Sequence, residues 1–566
     1  MDRVTKSLLD DFVAAQDLHK LHESAAFERF ANYCIVSREH SDTFNVEELC
    51  VGGGADTGID GIAIIVNGNL VTSPEDVDDL VNKNGYLEAR FVFVQAETSS
   101  SFDSAKVGSF AFGIADFFAE QPRLVRNEFI QAMAGVQERI YKLSASMTRG
   151  KPSLHWYYAT TGTWQDDANL VARFDEGVKD VDQTRLFSRV SYFPVDADEL
   201  ARLYQATKNR VTADFTFSSK TVLPEMAGVS EAYLGIVPAL EYLTLVKDEA
   251  GGIRKSLFYD NVRDFQDYND VNKEIRGTLA SGHRAHFAIL NNGVTIVAKT
   301  LRTVGNRFHI EDYQVVNGCQ TSHVLFDNQD LLDATVYVPL KVIAAEEDDL
   351  INLVITATNR QTEVKPEQLL ALSAFQKRLE AFFAAQGDRQ RLYYERRSRQ
   401  YNNVGGVEKV RIVTPGQQIR VFASMFLNEP HRASRYYKEL LELVGERIFV
   451  ERHRLEPYYI SAFAHYRLEY LFRNGQLDQS YRPGRYHLLL ALRCLIGGTS
   501  MPQLGSHEME RYCAGISAVL WDDEKVLGAF SRATAIVDAA TDGATLTRDM
   551  VKTATFTERV VAAVSI

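Results

Sequence analysis

Acidic side chains stand at the ends of two apolar runs in the first hundred residues. Asp60 lies two residues before the run 62–66, whose composition predicts a buried strand. A second predicted strand, 91–94, leads directly into Gln95 and Glu97. Because alternate side chains of a strand leave it on the same face, Gln95 and Glu97 are expected to lie together. The sequence therefore predicts that oxygen atoms from two neighbouring strands face one another.

Oxygen ligands of this kind are suited to a hard cation. We predict a Mg²⁺ or Mn²⁺ ion bound by Asp60 and Glu97, with Asp56 as a further ligand. The reaction that such an ion supports is the activation of water against a phosphodiester. Glu28, on a helix predicted over 17–38, is another candidate for the site, although acids on helices are most often simply solvated.

Length and composition predict a protein of several domains. The 566 residues are too many for one core, and three or four domains are expected. A hydrophobic content of 45% and a charged content of 24% are typical of globular proteins. The net charge of −13 gives no overall attraction to nucleic acid, so such binding would require a local basic patch.

Apolar runs, the N-terminal residues and the cysteines predict the cellular location of the protein and the redox state of its thiols. No apolar run approaches the roughly 20 residues of a membrane helix, so we predict no membrane partner. The first twelve residues, MDRVTKSLLDDF, carry acids where a signal peptide has an apolar segment, which favours a cytoplasmic protein. Five cysteines without a CxxC pair argue against a zinc site or a disulfide framework, and free buried thiols are expected.

The order of apolar patterns predicts a multidomain protein of mixed α/β and α+β class. Short strands alternate with helices in a predicted α/β domain over 1–208. A second α/β domain is predicted over 209–365, beginning with one strand near 215–222. Residues 366–566 are predicted to be mainly helical, with one helix over 514–535.

Three polar motifs interrupt the predicted strands of the central region. They read NNGVTIVAK at 291–299, QVVNGCQTSHVLF at 314–326 and ITATNRQTEVKPEQLLAL at 355–372. Amides, hydroxyls and glycine in front of a helix leave backbone N–H groups free to hold an anion. The residues predicted to bind a nucleotide or another phosphate-bearing ligand are Asn291, Asn292, Asn317, Gln320, Thr321, Asn359 and Arg360. The alternative is that they only form tight turns and helix caps.

A basic and aromatic segment follows at 389–401, with the sequence RQRLYYERRSRQY. Arginines contact phosphates and tyrosine rings stack on bases, so this composition is suited to nucleic acid. The predicted contact residues are Arg389, Arg391, Tyr394, Arg396, Arg397 and Arg399. The alternative is a solvated face, or intramolecular ion pairs in an acidic chain.

Several of these motifs occur in the order seen in one protein family. They are DNVRDF at 260–265, VNKEI at 271–275, NNGVTI at 291–296, VNGCQTS at 316–322, TNRQT at 358–362 and YYERR at 393–397. Residues from about 230 to 400 thereby resemble the AIPR family of abortive-infection phage-resistance proteins. Such proteins commonly carry an N-terminal domain that looks like a PD-(D/E)xK nuclease. GIDGI followed by FVFVQAETSSSF is similar to that arrangement, which implies a restriction-endonuclease-like fold for the N-terminal domain.

VNGCQTS followed by ATNRQTEVKPEQ is also similar, more weakly, to the nucleotide-binding core of ParB-type proteins. In those proteins arginines usually stand at the positions of Gln320 and Thr321.

The nuclease motif departs from the family pattern at one position. Family members typically have Gln-x-Lys where this chain has Gln95, Ala96 and Glu97. The lysine implied by the resemblance orients the attacking water and stabilises charge on the phosphorane. Three interpretations remain: the site is built around Glu97, Lys106 supplies the missing ammonium group, or cleavage has been lost.

The function predicted from these features is antiphage defence by a metal-dependent nuclease acting on DNA or RNA. An alternative is a sensor that binds a nucleotide or another ligand and whose nuclease-like domain binds nucleic acid without cleaving it. A third is a scaffold in which the polar motifs only close turns. The expected partners are nucleic acid, a phage component as trigger, and a second copy of the chain.

Overall fold

The computed structural model describes most of the chain. The described residues are 1–40, 44–52, 58–208, 211–247, 252–258, 269–345, 350–351, 353–354, 357, 374–396, 400–401, 407–435 and 437–564. Five predicted site residues, Asp56, Asn359, Arg360, Arg397 and Arg399, lie outside them.

The chain forms two compact units. The first comprises Met1–Leu8 and Phe27–Lys365, and the second comprises Leu9–Ala26 and Pro366–Ile566. The predicted fold class is confirmed: mixed sheets form the N-terminal and central parts, and helices form the C-terminal part. The division into domains at 1–208, 209–365 and 366–566 stays a prediction.

A five-stranded mixed sheet organises the beginning of the first unit. Its strands are β1 (Gly61–Val66), β2 (Asn69–Val71), β3 (Ala89–Glu97), β4 (Ser153–Thr160) and β5 (Arg189–Val195). Their order is β2-β1-β3-β4-β5, with β1 antiparallel to β3 and with β3, β4 and β5 parallel. The described helices up to residue 208 are α1 (Arg3–Gln16), α2 (Glu23–Glu39), α3 (Pro74–Asn84), α4 (Ser104–Phe117), α5 (Glu128–Lys142), α6 (Ala168–Asp182) and α7 (Ala197–Lys208). The part of α1 from Leu9 onward and the part of α2 up to Ala26 belong to the second unit.

Strand β3 is the centre of this sheet and reads as a nearly continuous apolar run. Phe91 and Phe93 are fully buried. Their rings pack edge-on against Phe118, at 5.1 and 5.8 Å between centroids. A strand with helices over both faces requires apolar side chains on both, which is why β3 lacks strict alternation.

A buried carboxylate attaches helix α2 to the second face of the sheet. Glu39 accepts hydrogen bonds from His155 Nδ1 (3.0 Å) and from the Tyr157 hydroxyl, and Arg90 Nη1 lies 2.7 Å from its other oxygen. Burial alone raises the pKa of Glu39, but the hydrogen bond and charge of His155, together with Arg90 and Tyr157, lower it to about 2. The network fixes α2 relative to β3 and β4.

A six-stranded sheet forms the rest of the first unit. Its strands are β6 (Thr212–Thr216), β7 (Ser219–Val222), β8 (Val229–Pro238), β9 (Val294–Val304), β10 (Arg307–Asn317) and β11 (Tyr337–Ala345), in the order β6-β10-β9-β11-β8-β7. Its described helices are α8 (Ala239–Val246), α9 (Asp270–Ala280), α10 (Phe287–Leu290) and α11 (Cys319–Asp327).

The prediction of one strand over 215–222 is wrong. The segment forms β6 and β7, which lie on opposite edges of the six-stranded sheet. Phe217 stands between them, and its fully buried ring packs on Phe215 and Phe308. Local composition cannot reveal such a crossing, because β6 pairs with β10 and β7 pairs with β8, and these two partner strands lie far apart in the sequence.

The second unit is mainly helical. Its helices are α12 (Ala374–Ala384), α13 (Pro415–Phe426), α14 (Pro430–Arg435), α15 (Tyr437–Glu442), α16 (Glu456–Arg473), α17 (Arg485–Gly497), α18 (His507–Leu520), α19 (Asp523–Ala540) and α20 (Ala554–Val564). A short parallel ladder joins β12 (Tyr393–Tyr394) to β13 (Ile412–Val413). Helix α16 is buried along almost its whole length and forms the centre of this core.

The single helix predicted over 514–535 is wrong as well. Helix α18 ends at Leu520 and α19 begins at Asp523. The side chain of Asp522 accepts from the N–H groups of Glu524 and Lys525, which caps α19 and ends the continuous pattern.

Two further expectations can be compared with the structure. All five cysteines are buried and free, as predicted. Across the described ranges, the structure contains no helix whose length and apolar character would let it cross a bilayer.

A buried histidine makes the stability of the second unit depend on pH. His487 of α17 is fully buried, and its Nε2 hydrogen-bonds with Thr557 Oγ1 of α20 at 3.1 Å. Burial lowers the pKa of His487 from 6.5 to about 3. Between these values the unfolded chain binds a proton that the folded chain does not, so stability falls as the pH decreases below 6.5.

We predict that His487 destabilises the fold by about 2 kcal/mol at pH 5 relative to pH 7.5. Urea unfolding at both pH values, for the wild type and for His487→Gln, measures this difference. The control is His507→Gln, because the His507 side chain is 81% exposed and its replacement should leave the pH dependence unchanged. An equal pH dependence in wild type and His487→Gln would contradict the assignment.

Candidate active site

The backbone places Asp60 beside the last residues of β3. Its N–H donates to the Val94 carbonyl at 2.8 Å, and its Oδ2 accepts from the Ala96 N–H at 2.7 Å. Because β1 runs antiparallel to β3, the residue that precedes β1 must face the end of β3. The carboxylate of Asp60 is thereby held at the edge where β3 ends.

Gln95 and Glu97 lie together, as the strand periodicity predicts. Gln95 Nε2 donates to Asp60 Oδ2 at 3.0 Å and to Glu97 Oε1 at 3.4 Å. Gln95 is buried, whereas the Glu97 side chain is 28% exposed. The amide therefore bridges two carboxylates that would otherwise only repel each other.

Lys106 completes the cluster. Its Nζ lies 2.6 Å from Glu97 Oε1. It stands in the first turn of α4, whose N–H groups at Ala105 and Lys106 are capped by Asp103. The hydrogen bond and charge of Glu97 raise the pKa of Lys106, and Asp60 adds to the effect. A cation at a helix N-terminus is unfavourable, so the carboxylates and not the helix stabilise Lys106 there.

Helix α2 approaches the same cluster from outside the sheet. Asn32 is fully buried, and its Nδ2 donates to the backbone carbonyls of Glu28 (2.9 Å) and Asp60 (3.3 Å). Asn32 thus links the backbone of the predicted site residue Glu28 to the backbone of Asp60. Asn32 was not predicted, and the only sequence signal for it is a polar residue on the apolar face of a helix.

The loop between β3 and α4 is fixed by contacts with the end of β4. The Tyr158 hydroxyl accepts from the Asp103 N–H at 3.3 Å, and the Thr161 N–H donates to the Ser99 carbonyl at 3.0 Å. Burial raises the pKa of Tyr158 to about 12, so the hydroxyl remains neutral at physiological pH. These contacts set the distance between Lys106 and Glu97, which the sequence left open.

The site offers two carboxylates as metal ligands in the described part of the chain. No group of three or more His, Cys, Asp or Glu side chains is arranged to hold a metal among the described residues. Mg²⁺ is commonly bound by one or two carboxylates and completes its octahedron with water, so Asp60 and Glu97 fit such an ion. The further predicted ligand, Asp56, lies outside the described residues.

Five of the predicted ligand residues of the central region, Asn291, Asn292, Asn317, Gln320 and Thr321, lie at one end of the six-stranded sheet. Strand β9 begins just after Asn291 and Asn292, and Asn317 at the end of β10 pairs with Thr295. Gly318 follows at a φ of 100°, and α11 begins at the next residue. This conformation is open to glycine because it has no Cβ.

Several of these side chains have internal partners. Asn291 Nδ2 donates to the Phe287 carbonyl at 3.2 Å, and Gln320 Oε1 accepts from Asn272 Nδ2 at 2.7 Å. Thr321 is buried, whereas Asn292 is exposed. Turn formation and ligand binding are both compatible with this arrangement.

The basic and aromatic segment makes intramolecular contacts. Tyr394 is fully buried and hydrogen-bonds with Gln376, so neither face of its ring is open to a base. Arg396 is buried and its Nε lies 2.9 Å from Glu380 Oε2. Two further contact candidates differ: Arg391 is paired with Asp388 at 3.1 Å, and Arg389 is exposed. The contacts of Tyr394 and Arg396 favour the alternative of internal ion pairing for their part of the segment.

Comparison with known proteins bears on the second half of the chain. Residues 258–495 match the family model described as AIPR protein. The resemblance to the AIPR family, predicted for about 230–400, is thereby confirmed over residues 258–400, and the match continues to residue 495. A search of curated proteins found no match, and a search of solved structures found none either. The matched region does not include Asp60, Glu97 or Lys106.

The contact between Asn32 and Gly61 gives a test of this geometry. A Cβ at Gly61 would lie 1.7 Å from Asn32 Oδ1, so Gly61→Ala should destabilise the first unit by about 1–3 kcal/mol. The control is Gly135→Ala in α5, where a Cβ would meet nothing within 4 Å and helix propensity should rise. Thermal unfolding of both variants measures the difference, and equal stability would show that α2 does not pack against Gly61 as described.

Proposed function

We propose that the protein acts in antiphage defence and that its first unit contains a metal-dependent nuclease. The match of residues 258–495 to the AIPR family supports the defence role. The nuclease activity rests on one observation above all: Asp60, Gln95, Glu97 and Lys106 meet at the end of β3 through contacts of 2.6–3.4 Å. An ammonium group beside two carboxylates is a composition suited to phosphodiester hydrolysis.

The two carboxylates would hold Mg²⁺ or Mn²⁺. When bound, such an ion supplies Lewis-acid polarisation of a phosphoryl oxygen and lowers the pKa of a coordinated water. Glu97 Oε1 accepts from both Gln95 and Lys106, and within the described residues Oε2 of Glu97 makes no hydrogen bond of its own. That oxygen and the carboxylate of Asp60 are the groups we assign to the ion.

Gln95 orients both ligands. A single amide that donates to Asp60 Oδ2 and Glu97 Oε1 fixes the separation of the two carboxylates. The backbone N–H of Ala96 holds Asp60 from a second direction. A ligand pair held in this way is already arranged before substrate binds, which is how such sites lower the reorganisation cost of the reaction.

Lys106 takes the role that the family pattern gives to a lysine on the strand. Its raised pKa keeps the ammonium group protonated at neutral pH, so it acts as a hydrogen-bond donor and not as a base. In this role Lys106 donates hydrogen bonds to the attacking water and stabilises the negative charge that develops on the phosphorane. In this proposal the lysine comes from α4, and Glu97 stands at the position on β3 where the family pattern has the lysine.

The sheet topology supports the same proposal. One acid precedes β1, and a second acid lies at the end of the neighbouring antiparallel strand β3. Helices α2 and α4 lie at the same place. This arrangement corresponds to the one that the PD-(D/E)xK resemblance implies. Nucleic acid, either DNA or RNA, is the proposed substrate class.

A ligand site in the central region is a second candidate function. The observation that favours it is the placement of Asn292 and the Asn317–Gly318 turn at the same sheet end, in front of α11. Backbone N–H groups at the start of a helix attract phosphate. A bound nucleotide or phage-derived ligand there would regulate the nuclease.

We predict that Asp60→Asn and Lys106→Met each reduce cleavage by at least about 100-fold. Linear DNA and RNA substrates, incubated with Mg²⁺, with Mn²⁺ and with EDTA, provide the measurement. Lys142→Met is the matched control, because Lys142 is 66% exposed in α5 and pairs only with Glu138 in the described structure. Cleavage that survives EDTA, or that is unchanged in Asp60→Asn, would contradict the proposal.

For the central site, we predict that one nucleotide of a panel stabilises the protein in thermal unfolding. A ligand at 100 times its dissociation constant adds about 2.7 kcal/mol. Asn292→Ala should abolish the shift, whereas Asn306→Ala, at the β9–β10 turn, should retain it. No shift with any nucleotide would contradict a nucleotide site in the central region.

A further inference from the structure

Helix α4, which carries Lys106, exposes one of its phenylalanines. Phe112 is 48% exposed, whereas Phe110 and Phe117 of the same helix are buried. Phe112 follows Lys106 by six residues, which corresponds to about 9 Å along the helix axis. A phenylalanine in solvent forgoes the stabilisation that burial of its ring would give. Phe112 thus presents an aromatic ring to solvent close to the candidate active site.

Three exposed residues of α4 form a row from the site to this ring. Lys106, Ser109 and Phe112 are exposed and three residues apart, and side chains at this spacing are neighbours on a helix surface. The middle of the row borders the site. A Cβ placed on Gly58 would lie 3.7 Å from the Ser109 backbone and 3.8 Å from Gln95 Oε1. The row is therefore continuous with the candidate active site.

A guanidinium group lies against the same helix. A Cβ placed on Gly108 would lie 2.5 Å from Nη2 and 2.9 Å from Nε of Arg173, which belongs to α6. Gly108 and Phe112 are neighbours on the helix surface, because they are four residues apart. The Arg173 side chain is 48% exposed, and its Nη1 pairs with Glu176 at 2.8 Å. Within the described part of the chain, its Nε and Nη2 have no acceptor. These two nitrogens can donate to a ligand beside Phe112.

The composition of this surface suits a single strand of nucleic acid. Residues 104–112 contain one lysine and no acidic residue, in a chain whose net charge is −13. Proteins that bind single strands combine cations, which contact the phosphates, with aromatic rings, on which the bases stack. The bases of a duplex are already stacked on their neighbours, and separating them costs free energy. An exposed ring beside cations therefore favours unpaired bases.

We propose that the exposed side of α4, formed by Lys106, Ser109 and Phe112 with Arg173 beside it, binds a single strand of nucleic acid that leads into the candidate active site. Phe112 stacks on a base close to the phosphate that is cleaved, and Arg173 donates to a phosphate oxygen of the same strand. The inference rests on the proposed nuclease function, since it names the form of the substrate. Cleavage then requires single-stranded or frayed nucleic acid.

Fluorescence anisotropy of the full chain tests this surface. The probes are a labelled single strand of about 12 nucleotides, as DNA and as RNA, and the corresponding duplexes. EDTA removes the metal ion that cleavage is proposed to require, so binding is measured by itself. We expect the wild type to bind a single strand more tightly than the duplex.

Phe112→Ala should raise the dissociation constant for the single strand at least about fivefold, because a stacking contact is lost. Phe112→Trp should retain the affinity of the wild type, since it keeps an aromatic face. Val304→Ala is the matched control: Val304 is an apolar residue that is 82% exposed at the end of β9, and its truncation should leave binding unchanged.

Arg173→Gln should weaken binding and reduce the slope of log affinity against log salt concentration by about one, because one phosphate contact is lost. Glu176→Gln is its control. This substitution removes the acid that pairs with Arg173 and leaves the guanidinium in place, so the affinity should not fall.

The results separate this surface from the nuclease activity. Single-strand binding that is lost in Phe112→Ala and retained in Phe112→Trp supports the surface; if the wild type then cleaves no substrate, only the nuclease proposal fails. Metal-dependent cleavage and single-strand affinity that are both unchanged in Phe112→Ala overturn the surface and leave the nuclease proposal standing. Tighter binding of the duplex, no binding of either single strand to the wild type, or equal losses in Phe112→Ala and Phe112→Trp overturn the surface as well.

Discussion

The hydrogen bond between the Asp60 carboxylate and the Ala96 N–H is the contact on which the candidate site depends. It joins the residue that precedes β1 to the second-last residue of β3, and it holds the Asp60 carboxylate beside the end of that strand. The same oxygen accepts from Gln95, whose amide reaches Glu97. Without the antiparallel register of β1 and β3, these three side chains would not share one edge of the sheet.

The neighbouring carboxylates of Asp60 and Glu97 repel each other, and an amide and an ammonium group offset this repulsion. Gln95 supplies a neutral donor from inside the sheet, and Lys106 supplies a charge from α4. The ion pair of Lys106 and Glu97 is half exposed, so its contribution to folding is small. Its placement at a helix N-terminus, where a cation is disfavoured, is better explained by chemistry at the site than by stability.

Strand periodicity was sufficient to predict that Asp60, Gln95 and Glu97 would meet, because the alternation of a strand determines which side chains share a face. It was not sufficient for Lys106. That residue is separated from Glu97 by a loop whose path depends on the Tyr158 hydroxyl and the Thr161 N–H, two contacts made by distant residues. Asn32 was missed for a similar reason, since its role arises only when α2 packs against Gly61.

The errors in the predicted elements have the same origin. Residues 215–222 have one strand-like composition but contribute to two edges of a sheet, and 514–535 contain one helical pattern that the Asp522 cap divides. Local patterns predict which residues are buried. They do not predict where the chain changes direction when a cap or a long-range pairing determines it.

The central claim is that Asp60 and Glu97 together bind a divalent ion beside Lys106. Anomalous diffraction from crystals soaked in MnCl₂ tests it most directly. The account predicts a manganese peak about 2.1 Å from carboxylate oxygens of both Asp60 and Glu97, and the loss of this peak in Asp60→Asn. The absence of any peak at these carboxylates in the wild type, at a manganese concentration that supports cleavage, would contradict it.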